Sequence, residues 1–117
     1  MSVIYVKDGV EFLVIAPGGF VLLSAIQRTA TSLGLDLTIT SGTDGEHSGP
    51  NDPHHRGEAY DVRTHGMTPQ QKSAVVNSIS AFAGPGFYVF LESPGTDNEH
   101  IHGQVAKGTT YPPQETA

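Results

Sequence analysis

The chain predicts an α+β domain: a small, mostly antiparallel sheet with two packed helices. Three observations predict it. Short stretches alternate apolar and polar residues, two longer stretches repeat apolar residues at helical spacing, and no regular strand–helix–strand cadence calls for an all-parallel sheet. With 117 residues, the chain has material for one core and not for two.

Residues 3–6 and 11–15 flank Lys7-Asp8-Gly9, a turn signal, and read as a β-hairpin. Pro17-Gly18-Gly19 breaks that pattern, and 20–33 reads as a helix. Phe20, Leu23, Ile26, Ala30 and Leu33 recur at helical spacing, and Gly34 is its stop. Residues 35–40 alternate as a short strand. The polar stretch 41–56, SGTDGEHSGPNDPHHR, is a long loop of the kind that is either disordered or functional.

Residues 58–63 read as a strand. Thr68 is an N-cap and Pro69 a first helical residue, opening a helix to about Phe82 that buries Val75, Val76, Ile79 and Phe82. Ala83-Gly84-Pro85-Gly86 stops it. An apolar strand follows over 87–91, then a turn-rich loop over 93–98 and a final strand over 100–105. The expected organisation is one domain over 1–105 and a flexible tail over 106–117.

Composition removes several classes of function. No cysteine is present, so disulfides and thiolate ligands are excluded, and any zinc site must use histidine and carboxylate. Twelve Asp and Glu stand against six Lys and Arg, which gives no electrostatic footprint for nucleic acid and disfavours anionic membranes. No apolar run is long enough for membrane insertion. MSVIYVKDGV lacks the pattern of a signal peptide. The expected location is the cytoplasm, or release without a signal, by phage lysis or within a virion.

Histidine is the residue in excess: His47, His54, His55, His65, His100 and His102. A histidine in a polar loop is usually a solvated surface residue, and His47, His55 and His65 are read that way. The others fall in two motifs, HHRGEAYD over 54–61 and EHIH over 99–102. His54, Asp61 and His102 supply two nitrogens and a carboxylate. That set leaves the fourth tetrahedral position of a zinc ion to water, as catalytic sites do. Glu99 can serve as the base that takes the proton from that water.

Strand parity tests whether the site can be built. His54 and Asp61 are an odd number apart, so one straight strand cannot aim both at one ion. They converge if His54 lies on the loop and Gly57 turns the chain into the strand, where Ala59, Asp61 and Arg63 share a face. His100 and His102 share a face, and Glu99 reaches the ion only from a loop end. Taken singly the motifs are weak, since Asp61 could cap a turn and EHIH could end a surface strand. Both in this order, each entering a strand from a loop, are much harder to produce by chance.

These residues resemble the zinc D-Ala-D-Ala carboxypeptidases and L-alanyl-D-glutamate endopeptidases of peptidase family M15, whose fold is shared by the amino-terminal hedgehog signalling domain. The family pattern is SxHxxGxAxD followed by E/DxxH. His54, Gly57, Ala59 and Asp61 match the first part, and Glu99 and His102 the second. Thr40-Ser41-Gly42 resembles the segment that precedes it. The resemblance covers roughly residues 20–105 and implies a hedgehog/DD-peptidase-like fold.

It further implies His54, Asp61 and His102 as zinc ligands, Glu99 as general base, and His100 as a hydrogen-bond donor to the oxyanion. Two positions depart from the pattern: Asp52 replaces the family's serine, and Asp44 stands where many members carry a substrate-holding arginine. Arg63 or Arg56 is the available substitute, with Arg63 on the face of Asp61. The implied function is a zinc peptidase cutting a peptide bond in peptidoglycan stems, in the manner of an endolysin, as a carboxypeptidase or an endopeptidase. The competing reading is a non-catalytic zinc-binding module for recognition or assembly. Glu99 argues for the enzyme and the missing arginine for the module.

Overall fold

The computed structural model describes residues 2–45, 49 and 51–107. His47 and most of the expected tail lie outside them. The strongest helical stripe of the sequence forms α1, Pro17–Leu33, whose Leu22, Ala25, Ile26, Thr29 and Ala30 are buried along one side. Gly34 ends it in the left-handed region at φ 66°, donating its N–H to the Ala30 carbonyl.

The break expected at Pro17-Gly18-Gly19 is instead the first turn of α1. Amides of a first turn have no intrahelical acceptor, so a proline there forfeits nothing. Gly19 is needed for another reason. A Cβ on it would run into the Gly57 carbonyl, 2.9 Å from the carbonyl carbon.

Five strands form one sheet: β1 (Ile4–Val6), β2 (Leu37–Ser41), β3 (Ala59–Arg63), β4 (Phe87–Glu92) and β5 (His100–Val105), in the order β1-β2-β3-β5-β4. The last three pairings are antiparallel, and β1 runs parallel to β2. The hairpin expected from 3–6 and 11–15 therefore does not form. Its first arm pairs with Leu37–Ile39, because α1 is a crossover that returns the chain beside β1 in the same direction. The second arm becomes an irregular strap. Glu11 accepts from the Thr43 N–H at 2.8 Å, and the Leu13 N–H donates to Thr43 Oγ1 at 3.0 Å.

The second helix, α2, spans Pro69–Ala83. Thr68 and Gln71 form a reciprocal capping box, each side chain accepting from the other's backbone N–H. Val75, Ile79 and Ala83 are buried on it. Val76 and Phe82, expected in the core, are only partly buried. Phe82 lies at the margin, where the Arg28 guanidinium stacks 4.3 Å from its ring centre.

Both helices cover one face of the sheet. Leu22, Ile26, Val75 and Ile79 pack against Leu37, Ile39, Tyr60, Val62, Ile101 and Val105. Each such aliphatic side chain contributes roughly 1.5–3 kcal/mol on burial. Strand alternation then sends Asp61, Arg63, His100, His102 and Gln104 to the uncovered face. Among the described residues no helix is long and apolar enough to cross a membrane.

Candidate metal centre

Register brings the two motifs together. Asp61 on β3 lies directly opposite His102 on β5, and Arg63 opposite His100. On the other side of β5, Phe90 is opposite His102 and Glu92 opposite His100. His54 arrives from the turn that precedes β3. Its backbone N–H donates to Asp52 Oδ1 at 2.9 Å, and its carbonyl accepts from the Gly57 N–H at 3.1 Å. Gly57 takes φ 70° in a place where a Cβ would collide with the Val14 carbonyl. The turn is therefore closed only with glycine at 57.

His54, Asp61 and His102 are all nearly buried, at 4, 8 and 8 % exposure. Asp61 Oδ1 is 3.3 Å from His54 Nε2 and 3.0 Å from His102 Nδ1. Donors to one zinc ion sit ~2.0–2.2 Å from it, hence no more than about 4.4 Å from each other. Both carboxylate–imidazole separations meet that limit, and all three donor atoms lie within 4.8 Å of one another.

The far nitrogen of each ring is already committed. His54 Nδ1 donates to the Gly42 carbonyl at 3.1 Å, and His102 Nε2 to Gln104 Oε1 at 2.8 Å. Neutral rings held this way aim bare lone pairs at a carboxylate, an arrangement that a cation satisfies.

The electrostatics agree. Burial pushes the Asp61 carboxyl up, but hydrogen bonds from His102 and His54 and the charges of His54 and His100 hold it well below the usual carboxylate range. Burial pulls His102 down, yet its bonds to Asp61 and Gln104 leave it raised. The middle of the triad thus favours positive charge, whether proton or metal. Two imidazoles and a carboxylate are a zinc-type donor set, and these residues could hold such an ion.

The other expected site residues divide. His100 is beside the triad, with Nε2 3.6 Å from Asp61 Oδ1. Its Nδ1 donates to the Asn98 carbonyl at 2.7 Å, so Nε2 can donate to an oxyanion only when the ring is an imidazolium. Arg63 is exposed on the same face and lines, with Lys7, Thr40 and Ser41, a cavity of about 360 Å³ that reaches Asp61 and His100.

Glu99 lines that same cavity, but its carboxylate is outside the group of donors and is engaged elsewhere. Its Oε1 takes the Lys72 ammonium at 2.6 Å and the Thr64 hydroxyl at 2.6 Å, and its Oε2 takes the Gly95 N–H at 2.9 Å. Lys72, with Thr64 and Gly95, holds its carboxyl down to about 2. A carboxylate so occupied is a poor proton acceptor.

Two residues that sequence reasoning passed over do line the cleft of about 490 Å³ that holds His54, Asp61 and His102: Glu92 and Gln104. Counting by twos along the last two strands would have found them, since Phe90 and Glu92, like His102 and Gln104, fall on one face.

Asp44 has a structural use. Its Oδ1 accepts from the Gly42 N–H at 2.8 Å and the Glu11 N–H at 3.0 Å, fixing the loop whose carbonyl holds His54. Comparison with protein-family models, curated proteins and solved structures returns no match at any of the three levels.

Proposed function

We propose that the chain is a zinc peptidase that hydrolyses a peptide bond in peptidoglycan stem peptides. The observation that carries the reading is the nearly buried His54–Asp61–His102 triad opening into a cleft with a half-exposed carboxylate, Glu92. The substrate class comes from the resemblance of the two motifs to peptidase family M15. Bound between these ligands, zinc supplies Lewis acidity that polarises a carbonyl and brings the pKa of a water toward ~7.

The chain's own groups do the rest. Glu92 Oε1, 3.8 Å from His102 Nδ1 and 44 % exposed with its side chain, is free of any lysine or arginine among the described residues. It takes the proton of the attacking water and returns it to the leaving amine. In this role Glu92 replaces Glu99, which keeps a loop in place. Asp61 and the Gly42 carbonyl orient His54, while Gln104 orients His102. Arg63 faces the anionic end of the substrate from the adjoining cavity.

A non-catalytic zinc module is the second reading, favoured by the withdrawal of Glu99 into its bond with Lys72. Glu92→Gln separates the two. A peptidase keeps about one zinc per chain in this variant and loses turnover of peptidoglycan fragments. Zinc must also disappear from His54→Ala and His102→Ala. A wild type that takes up no zinc would end both readings.

A further inference from the structure

His102 belongs to a second set of potential metal donors, with Glu92 and His100. Glu92 on β4 and His100 on β5 are direct cross-strand partners, with Oε1 3.4 Å from Nε2. That separation suits two donors on one divalent ion.

The ring of His100 is prepared for this. Its Nδ1 is spent on the Asn98 carbonyl at 2.7 Å, so a neutral ring turns a bare Nε2 toward two carboxylates, Glu92 at 3.4 Å and Asp61 at 3.6 Å. Asp61 Oδ1 is also 3.3 Å from His54 Nε2, so one carboxylate is within reach of both places. His102 Nδ1 serves only one ion at a time and is nearer to Asp61, at 3.0 Å, than to Glu92, at 3.8 Å.

We infer that Glu92 and His100 form a second, weaker divalent-cation site beside the triad, and that filling it occupies the base, so that excess zinc inhibits. The inhibition rests on the peptidase reading; the site itself does not. It is weaker for two physical reasons. Glu92 is 44 % exposed, so water competes for the ion, and an ion already in the triad repels a second one placed next to it. Zinc in excess therefore trades a proton acceptor for a ligand.

Calorimetric titration of zinc into the metal-free full chain tests this. Wild type should show two binding events of different affinity. Glu92→Gln and His100→Ala should each lose the weaker event and retain the tighter, while His54→Ala loses the tighter. A wild type whose single event is the tight one lost in His54→Ala overturns the inference, as does a weaker event that survives both substitutions, which would place it elsewhere on the surface. Absence of the tighter event alone counts against the peptidase reading and leaves the second site to be judged by the weaker one. Turnover of peptidoglycan fragments should fall as zinc rises through the range of the weaker event. Turnover indifferent to excess zinc would remove the inhibitory half.

Discussion

Replacing Gly57 by alanine should cost far more than the same change at Gly34, although both residues have nearly the same left-handed backbone. At Gly34 (φ 66°) an added Cβ meets nothing within 4 Å. The cost there is the left-handed penalty alone, about 1–2 kcal/mol. At Gly57 (φ 70°) the Cβ would strike the Val14 carbonyl, at 2.7 Å from its carbon and 3.1 Å from the Ala16 nitrogen. Those are backbone atoms that no rotamer change can move, so an overpacking cost of about 1–3 kcal/mol is added. The total is about 2–5 kcal/mol. At roughly 4 °C per kcal/mol for a domain of this size, that is a fall of about 8–20 °C in Tm.

The assay is thermal and urea denaturation of both variants beside wild type, followed by zinc affinity from competition with a chromophoric chelator. Gly57 closes the turn that carries His54 to Asp61, so its variant should also bind zinc more weakly, whereas Gly34→Ala should not. Equal losses of stability in the two variants, with unchanged zinc affinity in both, would refute the reasoning. The Gly57 turn would then be no part of what builds the site.

Three further outcomes are expected. Gln104→Leu leaves His102 Nε2 without its acceptor and should weaken zinc binding ~10–100-fold; unchanged affinity in the chelator assay would strip Gln104 of its orienting role. Glu99 has a folded pKa of about 2 against an ordinary 4.5, so the stability it lends is complete above pH 4.5 and is lost as pH falls through 2. Glu99→Gln should therefore melt lower than wild type at neutral pH and lose less on acidification between those values, with turnover impaired far less than in Glu92→Gln; identical acid profiles would deny the Lys72 pairing its weight. Thr68→Ala removes the capping box of α2 and should cost about 1 kcal/mol, seen as a shift of ~4 °C in Tm with zinc affinity untouched.

Much of the architecture was readable from local signals. The stops at Gly34 and Gly84, the N-cap at Thr68 and the two short strands bounded by turn residues at the end of the domain depend on neighbours a few residues away, and each lies within a residue of where it was expected. The start of α1 was misread because Pro17-Gly18-Gly19 has the composition of a breaker, while Gly19 answers to the distant Gly57 carbonyl. The strap at 11–15 was misread as a strand for a related reason. The Lys7-Asp8-Gly9 turn signal before it suggests a hairpin, but β1 has its hydrogen-bonding partner in β2.

The candidate site divides along the same line. By itself the sequence pointed to the chemistry of the triad: a cysteine-free chain with two histidine-bearing motifs, one of them ending in Asp61, offers a His/Asp ligand set. Tertiary structure alone decided which carboxylate faces that set. Glu99 is three residues from His102 in the chain, yet Lys72 on α2 and Thr64 just after β3 draw it away. Glu92 is ten residues from His102, and cross-strand pairing with His100 delivers it to the cleft. Ligand chemistry belongs to the residue, whereas the direction of a side chain belongs to strand register and to charges that the chain brings near only by folding.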